Sequence, residues 1–142
     1  MTHESSASVV AEYVHMVWDY HDCPRSGIAD FLGKPHVFQC QFDEADDDWT
    51  DLYWLMEVDQ QVVALADEQE VIFRRWYVAF SQGRATIDGH SALPADRARC
   101  DALTAAIGHR LALQPEWSVI RRGRFSTRAT SDGVTVQWDE PE

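Results

Sequence analysis

No stretch of this sequence approaches the roughly 20 consecutive apolar residues that a membrane helix requires, and the opening MTHESSASVV has neither the basic region nor the apolar run of a secretory signal. A cytoplasmic chain is therefore expected. Cysteine is scarce and odd in number: Cys23, Cys40 and Cys100 show no CxxC spacing, so no disulfide framework organises the fold and one pair is the most that could form. Basic residues are nearly missing from one half. Residues 1–70 hold 2 Lys+Arg against 16 Asp+Glu, whereas residues 71–142 hold 10 against 8. The net charge of −12 and pI near 4.7 oppose attraction to nucleic-acid phosphates and anionic lipid. Also missing are GxSxG, HExxH and any Gly-rich phosphate loop, which leaves no known enzyme signature. With no repeat and no Ser/Gly-rich linker, a single domain over residues 1–142 is expected, residues 1–8 forming a disordered tail.

What is present describes a folded chain. Hydrophobic residues make up 45%, with six Trp, six Phe and four Tyr. Residues 9–20 (VVAEYVHMVWDY) are rich in β-branched and aromatic side chains and read as a strand. HDCPRSG reads as a loop because of Pro24 and Gly27, and a short strand over 28–32 then meets a tight turn at Gly33-Lys34-Pro35. Phe38, Cys40 and Phe42 alternate with Gln39, Gln41 and Asp43, the period-2 signature of a half-buried strand. Residues 51–58 read as a fourth strand. The period then lengthens: Val62, Leu65, Ala66, Ile72, Phe73, Trp76, Tyr77 and Phe80 recur at spacings of three and four, with Asp59 as N-cap and Gly83 as the stop of a helix. A second helix over 95–113 has Ala98, Ala102, Leu103, Ala106, Ile107 and Leu111 as its buried stripe. Strand patterning returns over 117–128, with a turn at Ser131-Asp132-Gly133 and a last strand carrying Val134, Val136 and Trp138. The expected architecture is α+β: an antiparallel sheet, made of an N-terminal meander of about four strands plus a C-terminal hairpin, with two helices packed on one face.

Three clusters carry possible chemistry. The acidic run Asp43, Glu44, Asp46, Asp47, Asp48 and Asp51, with Trp49 among it, could meet a basic partner. It lacks the Gly and distal Glu of a calcium loop, so no metal is expected there. His15, His21, Cys23, His36 and Cys40 lack the doubled local spacing of a zinc site. If the chain is an enzyme, Cys23 with His21 or His36 could form a thiolate pair, with Asp22 or Asp30 orienting the base; Cys23, His21 and Asp30 are the residues to test. The arginines Arg121, Arg122, Arg124 and Arg128 are better matched to the acidic half, within one chain or between two, than to nucleic acid. Tyr53 and Trp54 lie beside the carboxylates, and Trp54 is expected in the core.

The segment from His21 to Leu55, with the later FRRW, resembles a family of small uncharacterised bacterial proteins through Pro24, Gly27, Phe31, Gly33, Pro35, His36, Phe42, Asp43, Glu44 and Trp49. The resemblance implies a cytosolic bacterial domain and brings no catalytic residues with it. The leading expectation is a non-enzymatic acidic domain, of the kind of an immunity or inhibitor protein, that captures a basic partner such as a toxin, nuclease or nucleic-acid-binding protein, with no cofactor. The alternatives are a small metal-assisted or cysteine/histidine hydrolase and a structural homodimer.

Overall fold

The structure, a computed structural model, describes residues 10–126 and 133–141. The expected tail over 1–8, Arg128, and the turn residues Ser131 and Asp132 lie outside the described residues. Four consecutive antiparallel strands come first: β1 (Glu12–His21), β2 (Cys23–Phe31), β3 (Lys34–Asp43) and β4 (Asp48–Glu57). Helices α1 (Gln60–Ser81) and α2 (Arg97–Ile107) follow, and then β5 (Ser118–Ser126) and β6 (Thr135–Asp139). The chain divides into two compact units, one built from the described parts of Met1–Val58 and Ala112–Glu142, the other Asp59–Leu111. No helix among the described residues is long and apolar enough to cross a membrane.

The open sheet with helices on one face is overturned. The six strands close into a barrel in the order β1-β2-β3-β4-β5-β6, because β1 pairs with β6 (Glu12↔Val136, Tyr13↔Thr135) as well as with β2. Left open, β1 and β6 would each present a row of unpaired N–H and C=O groups, and closure removes both edges. The sheet can curl this far because β1 is irregular, with register slips between Val14 and Met16, Val17 and Asp19, and Asp19 and Tyr20. Such bulges bend a strand and increase its twist. Gly27 lies against the bulged stretch, where a Cβ would come 2.1 Å from the Met16 carbonyl oxygen. A second correction concerns HDCPRSG, which is strand from Cys23 onward: only Asp22, at φ 70°, makes the turn between β1 and β2. Pro24 and Gly27 signal a loop in isolation, yet both are buried in β2.

Small barrels are filled by their own side chains. Here Phe38, Tyr53, Phe125 and Trp138 form a mutual aromatic cluster, every pair of ring centroids lying between 5.3 and 6.1 Å. Val14, Ala29, Cys40, Leu55 and Val136 complete the core. Burying side chains of this size contributes about 1.5–3 kcal/mol each relative to leaving them exposed. Trp54, expected in the core, is half-buried, and Phe42 is 43% exposed.

In the helical unit Asp59 caps α1, its Oδ1 accepting from the Val62 N–H at 2.8 Å. Ile72, Ala92, Cys100 and Leu103 form the core, with Leu65 against it. The stripe expected for the second helix is corrected: Gly108 ends α2 at Ile107, its buried residues are Cys100, Leu103 and Ile107, and Ala98, Ala102 and Ala106 face solvent.

Candidate functional site

One end of the barrel gathers most of the chemistry-bearing residues, because two tight connections, β1–β2 at Asp22 and β3–β4 over 44–47, turn side by side there. Trp49 joins them. Its ring meets Phe42 edge-on at 5.1 Å and His21 edge-on at 6.4 Å, and the Arg25 guanidinium lies over it at 4.9 Å. Three contacts of this kind hold both turns against one side chain, so the two loops form one surface.

The β3–β4 turn is built by its carboxylates. Asp43 Oδ1 accepts from the backbone N–H of Ala45 at 3.0 Å and of Asp46 at 3.4 Å, and Asp47 takes a positive φ of 54°, the local bonding that suits Asp to turns. Asp43 and Asp48 stand directly opposite each other in the register, and like charges so placed destabilise a sheet. Asp51 differs from the rest of the run: both its oxygens accept from Arg122 Nη1, at 2.6 and 2.7 Å. The acidic half and the arginine strand thus meet within one chain at this point. Arg124 pairs instead with Asp139 at 2.7 Å and Arg121 with Glu140 at 3.8 Å.

Beneath the acidic surface lies a polar cluster that the sequence did not reveal. Arg25 is only 8% exposed. It donates through Nε to the His21 carbonyl at 2.9 Å and through Nη1 to Cys40 Sγ at 3.3 Å. Cys40 in turn donates to the Thr50 carbonyl at 3.0 Å. Burial pushes the Cys40 thiol above its ordinary pKa against the pull of Arg25, so it remains a neutral thiol. Tyr53 donates to the Pro24 carbonyl at 2.8 Å and lies 3.7 Å from Cys23 Sγ; burial drives its pKa far above the ordinary phenol value. The cluster therefore holds groups that keep their protons, and it braces β2, β3 and β4 below the turns. Arg25 was hidden in the apparent HDCPRSG loop; its placement at alternate positions with Cys23 and Gly27 was the one available signal.

The residues named for an enzyme are not assembled into a triad. His21 and Cys23 flank the Asp22 turn as register partners. Asp30 sits at the far end of β2, seven residues on or about 23 Å at strand rise, where it bonds to His15 Nε2 at 2.8 Å. His36 Nδ1 bonds to the Lys34 carbonyl at 2.8 Å. Among the described residues no group of three or more His, Cys, Asp or Glu side chains is arranged to hold a metal ion. Compared with known proteins, the chain matches no family model, no curated protein and no solved structure.

Proposed function

We propose that this protein is a non-enzymatic acidic binding domain whose β3–β4 turn captures a basic protein partner, in the manner of an inhibitor or immunity protein. The observation that carries this reading is the distribution of ion pairs. Eight arginines, Arg74, Arg75, Arg97, Arg99, Arg110, Arg121, Arg122 and Arg124, pair with carboxylates elsewhere in the chain. Among the described residues none comes within ion-pair distance of Asp43, Glu44, Asp46, Asp47 or Asp48. Five carboxylates within six consecutive positions are thus left without a cationic partner, a local repulsion that a basic protein surface would relieve. The same end of the barrel exposes Tyr20 at 58% and Phe42 at 43%, aromatics of the kind that anchor interfaces once desolvated.

Charge of this sort acts mainly on encounter, raising association rates by about 10- to 1,000-fold at low salt. The test is a comparison of the wild-type chain with the variant Asp46→Lys/Asp47→Lys/Asp48→Lys as baits at low ionic strength, followed by association kinetics on any partner retained by the wild type alone. The expected result is a slower association for the variant, by at least about tenfold, with a flattened salt dependence. Equal retention and equal kinetics for both baits would sink the proposal.

A further inference from the structure

The helical unit carries a second feature that the acidic surface does not explain. Along α1, Val71, Arg74, Arg75 and Val78 occupy one stripe at spacings of three and four, separate from the buried residues Ile72, Trp76 and Ala79. They line an open cavity of about 480 Å³ together with Arg84 and Leu93, within the volume range of small-molecule sites. Its floor is aliphatic: Val71 and Val78 stand 45% and 48% exposed, unusual for β-branched side chains in the middle of a helix. Its rim is cationic. Gly83, at φ 76°, ends α1 and turns the chain back so that the Arg84 N–H reaches the Ala79 carbonyl at 2.7 Å, which sets Arg84 at the cavity.

The three guanidinium groups are unequally neutralised. Arg75 is held by both oxygens of Asp96 at 3.0 Å. Arg74 has only a loose pair with Glu70 at 3.9 Å. Arg84 bonds to the neutral Gln82 amide oxygen through Nε at 3.0 Å and Nη2 at 2.6 Å. An apolar trough bordered by two under-neutralised cations, in a chain of net charge −12, selects against most anions at long range and accepts one whose apolar portion supplies the binding energy. We infer that the α1 groove is a binding site for a single-chain aliphatic carboxylate, its tail along Val71, Val78 and Leu93 and its head between Arg74 and Arg84.

The test uses the full chain with three probes below any micellar concentration: decanoate, decanol as the same tail without charge, and acetate as the head without a tail. Calorimetric titration should show decanoate saturating at one per chain, decanol binding at least about tenfold more weakly, and acetate not binding. The variant Arg74→Gln/Arg84→Gln should bring decanoate down to the decanol level, while Val78→Asp should abolish both. Circular dichroism identifies any variant that has lost its helices, and the arginine variant then carries the test if Val78→Asp unfolds. Equal binding of decanoate and decanol, unchanged decanoate affinity in the arginine variant, or occupation of the groove by a second copy of the chain in sedimentation would each overturn the inference.

Discussion

A Cβ at position 123 would lie 2.6 Å from the Trp138 ring and 3.0 Å from that of Tyr53. Both rings belong to the aromatic cluster that fills the barrel, so neither is a flexible tip able to give way. Gly123→Ala is expected to destabilise the protein by about 1–3 kcal/mol through overpacking, measured as a lowered midpoint in urea unfolding; a midpoint equal to wild type would mean the cluster relaxes freely. Read as sequence, Gly123 sits inconspicuously between Arg122 and Arg124, and nothing local marks it. Arg25 is a similar case. Its meaning comes from Cys40 and Trp49, residues that reach it only when β2 and β3 pair and the β3–β4 connection folds over. Phe38 and Cys40 were legible as core because alternation alone places them on one face.

At the level of elements, the carboxylates of the helical unit set its response to acid. Asp59 is held below the ordinary carboxylate range by the backbone N–H of Val62 and then by Arg110, Glu68 by Arg99, and Asp96 by Arg75. A depressed folded-state pKa stabilises the fold above the unfolded value and loses that contribution as pH falls through the folded one. Melting of α1 and α2, followed by helical circular dichroism, is therefore expected to shift to lower temperature from about pH 5 downward. Asp59→Asn keeps a capping oxygen for Val62 but gives up the Arg110 charge pair, and should show a shallower pH dependence; a slope as steep as wild type would remove Asp59 from the account. Helix α1 was readable because its cap, stop and periodicity agree with one another. The α2 stripe was not: alanine scores as apolar, yet its small surface gains little from burial, and Cys100, Leu103 and Ile107 decide the facing instead. Closure of the barrel was the least legible feature, since the β1–β6 contact joins residues that no local pattern connects.

For the molecule as a whole, charge is distributed unevenly, and the turn over 43–48 is the densest run of carboxylates that no arginine pairs among the described residues. Replacing Asp46, Asp47 and Asp48 together with Lys is expected to raise the melting temperature at low ionic strength, because the substitution relieves repulsion with Asp43 and Glu44. The gain should fade above about 0.1 M salt, where screening acts within roughly 10 Å. A lowered melting temperature at low salt would show instead that these carboxylates are structurally required. One further consequence comes from the placement of the helical unit in the chain. Strands β4 and β5 are hydrogen-bonded neighbours, Leu52↔Arg122 through Met56↔Ser118, yet the whole of Asp59–Leu111 intervenes. Bringing the ends of a disordered segment together costs entropy that grows with the logarithm of its length. The Arg110–Asp59 pair at 3.0 Å joins the two ends of that segment once it is ordered. The insert then counts, in polymer terms, as a short tether, and the route to the barrel that sacrifices least chain entropy has the helices ordered before β5 reaches β4.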